Sequence, residues 1–106
     1  MSRLALALVL SAATVAFAAE GEFNVTLEGH KFTPDRIEIP AGKKVKFFVE
    51  NKDATPEEFE SEALKIEKVI PGHGKATIYV GPLKAGEYKF VGEYNEKTAH
   101  GVVVAK

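Results

Sequence analysis

Apolar and polar residues alternate with a period of two through most of this chain, the side-chain repeat of a β-strand with one buried face. Phe23, Val25 and Leu27 alternate with Asn24 and Thr26, and Ile37 and Ile39 flank Glu38. Val45, Phe47 and Val49 alternate with Lys44, Lys46 and Glu50; Ala76, Ile78 and Val80 alternate with Thr77 and Tyr79; Tyr88 and Phe90 flank Lys89. The turn-forming runs Pro40-Ala41-Gly42, Pro71-Gly72-His73-Gly74 and Lys84-Ala85-Gly86 divide these stretches at short intervals. Several short strands so spaced predict an antiparallel sandwich. Two places depart from the alternation. Val102-Val103-Val104 reads as a buried strand, and Phe48 stands at a polar position, predicted to cover the sheet edge or a site.

The chain has 106 residues, enough for one domain, and no cysteine. Small exported domains often lean on disulfides. This one must rely on packing, and its seven Phe and three Tyr supply it, since each aromatic ring buries about 150–250 Å². Without cysteine, thiol catalysis, iron–sulfur clusters and cysteine-type zinc sites are excluded.

The N-terminus predicts a secretory leader over residues 1–18 and a single domain over 19–106. Arg3 gives a positive start, Leu4 to Leu10 an apolar stretch, and Ala16-Phe17-Ala18 small residues at a cleavage site, with a cut after Ala19 as the alternative. A membrane anchor is disfavoured, because Ser11 and Thr14 interrupt the apolar stretch and leave it too short to span comfortably. No later stretch approaches spanning length, so the mature chain is expected to be periplasmic with no transmembrane segment. The leader carries one of the 14 basic side chains and none of the 15 acidic ones, leaving 13 against 15. Nucleic-acid partners, which call for a basic surplus, are not expected.

One segment gives two answers. Thr55-Pro56-Glu57-Glu58 has the form of a helix start, with Thr as N-cap, Pro at the first position and Glu three residues after the cap. It therefore predicts a short helix over about 56–64. A short strand centred on Phe59 is the alternative.

Three stretches, in order, resemble the cupredoxin family. Phe32 to Gly42 with Val45-Lys46-Phe47 is similar to its opening strands; Ala85-Gly86-Glu87-Tyr88-Lys89-Phe90 to the strand before its metal loop; His100-Gly101-Val102-Val103-Val104 to its last strand. The resemblance implies an all-β, Greek-key antiparallel β-sandwich with at most one short helix near 56–64, and it favours a strand there. In that family an upstream His, and then Cys, His and Met on the loop before the last strand, hold copper. Aligned on Tyr88-Lys89-Phe90, the Cys position falls on Gly92, the loop His on Asn95, the Met on His100, and the upstream His near Glu57. Every ligand position departs, so a blue (type 1) copper centre is not expected. The chain also resembles cupredoxin-like proteins that accompany bacterial periplasmic iron-uptake permeases, through Asp53 to Ser61, Glu67 to Pro71, Val80-Gly81-Pro82-Leu83 and Gly92-Glu93-Tyr94-Asn95. Asn95 stands where that subgroup commonly has His.

Glu57, Glu93, Asn95 and His100 are therefore the candidate metal ligands, with Glu58, Glu60 and Glu96 beside them. Oxygen ligands with one imidazole suit iron better than Cu(I). His30, His73 and the Asn24-Val25-Thr26 sequon read as ordinary surface features. No catalytic constellation is present: there is no nucleophile elbow, no phosphate-binding glycine loop and no carboxylate pair placed across a cleft. The expected function is a metal-handling accessory protein in iron uptake, binding iron or copper, with an iron permease or other periplasmic or membrane protein as partner. The alternative is a metal-free recognition domain docking on such a partner.

Overall fold

The computed structural model describes residues 21–106. The leader expected over 1–18 lies outside the described residues. The described residues form nine strands: β1 (Glu22–Leu27), β2 (Phe32–Thr33), β3 (Arg36–Ile39), β4 (Val45–Asn51), β5 (Glu57–Ser61), β6 (Ile66–Ile70), β7 (Lys75–Val80), β8 (Gly86–Gly92) and β9 (His100–Ala105), with a 3-10 turn at Glu93–Asn95. A four-stranded sheet in the order β2-β1-β4-β7 faces a five-stranded sheet in the order β3-β9-β8-β5-β6. The all-β sandwich is the expected architecture, but its sheets are mixed. β1 pairs with β4 in parallel, and β3 with β9 in parallel. Both parallel pairs join strands distant in sequence: the chain leaves one sheet and returns to it alongside an earlier strand.

The alternation read from the sequence is the inside–outside pattern of these strands. Val25, Leu27, Ile37, Ile39, Val45, Phe47, Val49, Ile78, Val80 and Phe90 are all buried. At its centre Phe59 stacks on Phe90 with ring centroids 4.7 Å apart, and Phe32 meets Phe90 edge-on at 5.1 Å. In the last strand Val103 and Val104 are buried and Val102 only half so. Phe48 is half-buried on the outer face of the four-stranded sheet. There it lines a groove of about 390 Å³ with Asn24, Thr26, Glu50, Lys75 and Thr77.

The segment 57–61 is a strand, not a helix. Glu57, Phe59 and Ser61 all point inward, and β5 pairs with β6 on one side and β8 on the other. Burial of Phe59 in the aromatic stack, with two ladders of hydrogen bonds, outweighs the capping preference of Thr55 and Pro56, which is worth about 1 kcal/mol. Two buried polar residues stitch the loops nearby. Asn51 Nδ2 donates to the carbonyls of Thr55 (2.9 Å), Ile70 (3.2 Å) and Pro71 (3.2 Å), while its Oδ1 accepts from Asp53 N at 2.9 Å. Ser61 Oγ donates to Lys89 O at 2.6 Å and accepts from Leu64 N at 3.0 Å.

Candidate functional site

The end of the sandwich that carries the candidate residues is built where β5 meets β8. Phe59 lies opposite Gly92, the last residue of β8. Beyond it the chain makes the 3-10 turn and a short loop. That loop is closed by hydrogen bonds from Gly92 N to Ala99 O (2.8 Å) and from Ala99 N to Asn95 O (2.8 Å).

Glu57 begins β5 on its inner face and is 1% exposed. Its Oε1 accepts from Tyr94 N at 2.8 Å and from Glu58 N at 3.0 Å, and its Oε2 accepts from Asn95 Nδ2 at 2.7 Å. A buried carboxylate is costly unless hydrogen bonds replace its water, and three N–H donors do so here. Glu57 thereby ties β5 to the turn that follows β8. Gly92 lies against the same group: a Cβ there would sit 2.7 Å from the Glu57 Cδ and 2.7 Å from the Ala99 Cβ. Only glycine fits.

The opposite face of β5 is acidic. Glu58 and Glu60 point outward, Glu60 pairs across the ladder with Glu67, and Glu93 and Glu96 project from the turn and loop. Oxygens of Glu60, Glu93 and Glu96 lie within 4.8 Å of one another. A hydrogen bond from Glu93, then loss of water, then the charges of Glu93, Glu67 and Glu60 push the Glu58 carboxyl up to about 7. Loss of water and the neighbouring charges, Glu93 first, raise Glu60 as well. Tyr94 and Val69 flank this face with about half their surface exposed.

The four candidate ligands therefore divide. Glu57 and Asn95 are brought together, bonded to each other inside the protein. Glu93 belongs to the outer acidic face. His100 opens β9 opposite Val91 and is exposed; it lines shallow clefts with Asp35 and Arg36 and with Lys31 and Thr98. It belongs neither to the Glu57 hydrogen-bond group nor to the close carboxylate cluster. His30 and His73 are exposed turn residues with positive φ, their backbone N–H groups bonded to Asp53. The backbone N–H groups of His30 and Gly29 donate to the Asp53 carboxyl and hold it below its ordinary range, while His73 N donates to the Asp53 carbonyl. Ala99, whose methyl closes the group beside Gly92, carries no signal in the sequence that could have marked it.

A blue-copper centre does not fit these residues. There is no thiolate, no room at Gly92 for a side chain, and the Glu57 oxygens and the Asn95 amide nitrogen are engaged with one another.

Comparison with known proteins gives a consistent picture. A family model described as a cupredoxin-like domain matches residues 2–105. An uncharacterized protein of Rickettsia prowazekii is 37% identical over 83 residues, covering 78% of this chain and 66% of the relative, so the chain spans just under two thirds of that protein's length. The Cu(I)-bound metal-binding domain of the Cu(I)-exporting P-type ATPase CopA of Streptococcus pneumoniae has a similar fold, with a TM-score of 0.71 at 16% identity over 80% of this chain and 84% of that one. A copper binding protein in its apo form gives a TM-score of 0.71 at 21% identity, over 83% of this chain and 91% of that one. Auracyanin A, a blue copper protein of Chloroflexus aurantiacus, gives 0.67 at 14% identity, over 83% of this chain and all of that one.

Proposed function

We propose, from the premise that the chain belongs to the cupredoxin-like domain family, that it is an exported metal-handling accessory protein whose metal is held on surface carboxylates. The observation that carries this reading is the convergence of Glu60, Glu93 and Glu96 within 4.8 Å. Three carboxylates suit a hard cation, iron foremost, or oxygen-coordinated Cu(II), rather than Cu(I). A hydrogen bond from Glu93 and loss of water, with the charges of Glu93 and its neighbours behind them, raise the Glu58 carboxyl, and loss of water followed by those charges raises Glu60; a bound cation would relieve the charge part of this. The structural neighbours that bind copper make metal handling a use to which this fold is put. Iron uptake at a periplasmic permease follows from the sequence resemblance. Calorimetric titration with Fe(II), Fe(III) and Cu(II) tests the site. The wild type should bind at least one of them, and the Glu60→Gln/Glu93→Gln/Glu96→Gln variant should bind it at least tenfold more weakly.

The second reading, a metal-free domain that docks on a membrane or periplasmic partner, is favoured by the Glu57–Asn95 hydrogen bond at 2.7 Å, which orders the loop without an ion. A wild type that binds none of the three ions would leave this reading standing and refute the first.

A further inference from the structure

We infer that the Glu57 carboxylate is a built-in replacement for the metal ion at the interior position, so that this position is closed to metals and any cation is confined to the surface. The inference starts from a disagreement. The sequence resemblance puts the family's ligands at Glu57, Gly92, Asn95 and His100. Three of these positions come together in the fold, yet their chemistry is turned inward on itself. An ion would link the start of β5 to the loop between β8 and β9 through side-chain ligands. Here one anion makes the same link, taking donors from Tyr94 N and Asn95 Nδ2 across 37 and 38 residues of sequence.

The geometry is that of a finished site. The described residues contain no buried side-chain polar atom without a hydrogen-bond partner, and both Glu57 carboxylate oxygens are engaged by N–H donors. The space a thiolate would occupy is filled by the Ala99 methyl and the Glu57 carboxyl carbon, each 2.7 Å from the point a Gly92 Cβ would take. His100, the remaining position, is exposed. The link also has a second effect. Because Tyr94 and Asn95 are fixed from inside, the turn holds Glu93 in place on the outer face, with Glu96 immediately after it. To that extent the inference deepens the proposed surface site and rests on it, while the closed interior stands alone.

An exchange of the two groups tests this. Asn95→Asp alone sets two carboxylates against each other where the present bond is 2.7 Å, and should lower the unfolding midpoint substantially. Glu57→Gln alone should be milder, because the Asn95 amide can rotate to present its oxygen. In the Glu57→Gln/Asn95→Asp double variant the amide donates to the carboxylate again, and more than half of the Asn95→Asp loss should return. None of these midpoints in metal-free buffer should move with EDTA. The recovered double variant should bind Fe(II) or Cu(II) within about threefold of the wild type, whereas direct loss of a ligand costs about tenfold or more.

Two results overturn the inference: a double variant no more stable than Asn95→Asp, or one that recovers its midpoint yet binds metal at least tenfold more weakly than wild type, which would make Glu57 itself a ligand. Should Asn95→Asp fail to fold, protection of the Tyr94 amide from hydrogen exchange in the wild type decides instead. That protection should be unchanged by EDTA, and its loss on chelation would refute the closed site. A wild type that binds no metal refutes the proposed function, and the stability exchange still tests the interior.

Discussion

Gly101→Ala should unfold this protein at a far lower temperature, for reasons that can be worked atom by atom. Gly101 is the second residue of β9, opposite Phe90 in the ladder. A Cβ at this position would lie 2.6 Å from the Asp35 carbonyl oxygen, 2.9 Å from Phe90 Cε1 and closer still to Phe90 Cζ. Neither neighbour yields easily. The Asp35 carbonyl accepts from Val102 N at 2.8 Å, and Phe90 is stacked on Phe59 and met edge-on by Phe32. Overpacking alone costs about 1–3 kcal/mol. Displacing Phe90 also weakens aromatic contacts worth about 0.5–1.5 kcal/mol each, so about 3 kcal/mol is expected. For a domain of this size each kcal/mol lowers the midpoint by about 4–8 °C, giving a drop of about 12–24 °C by circular dichroism. In a Phe90→Leu background, where the crowding ring atoms are gone and only the Asp35 carbonyl stays close, the same glycine change should cost at least about 1 kcal/mol less, a coupling typical of touching residues. If Gly101→Ala unfolds within about 2 °C of wild type, or if the two changes add, the packing argument is wrong.

Asn51→Ala strips three carbonyls and the Asp53 N–H of their buried partner and should cost about 2–4 kcal/mol, measured by urea unfolding. The acidic face gives a pH dependence of defined sign. Glu58 binds its proton more tightly folded than unfolded, so stability from this group is full below about 4.5, its ordinary value, and is lost as pH rises toward about 7; Glu58→Gln should flatten that slope when midpoints are compared across the window. Asp53 acts the other way, its contribution being full above its ordinary 3.8 and lost only as pH falls below that value, so its effect falls outside the same window. Copper-treated protein should show no intense visible thiolate-to-copper band, since the chain has no cysteine; an intense blue colour would refute the reading of Gly92.

Strands were legible because burial on one face leaves a period of two, and Phe59 between Glu58 and Glu60 carried that signal even under a helix-capping sequence. The parallel pairings were not legible, because alternation says which face of a strand is buried and nothing about its neighbour's direction. Glu57 was read as a ligand because the family resemblance places the upstream His near it; it is buried because it shares the inner face of β5 with Phe59 and Ser61. What turns it into an internal tie is the register of β5 against β8, which brings Tyr94 and Asn95 to it from far along the chain. The acidic outer face was visible as a run of Glu, but the run holds both faces. Only the strand's alternation separates the inward Glu57 from the outward Glu58 and Glu60. His100 was read at the start of the last strand, where it stands, but alternation could not show that it is exposed and outside the Glu57 group.

The place of β9 sets when folding can finish. It lies between β3 and β8 and aligns Arg36 with Val102 and Ile39 with Ala105, so the five-stranded sheet stays split until β9 is available. Such distant pairings make for high contact order and slow closure. A chain emerging N-terminus first, from a ribosome or through a translocation pore, can form the β5–β6 hairpin early but cannot complete its sandwich. Loss of β9 would leave two open sheet edges facing each other across a gap, an invitation to pair with the β9 of another copy. β9 thus acts as a timer for the closing of the five-stranded sheet.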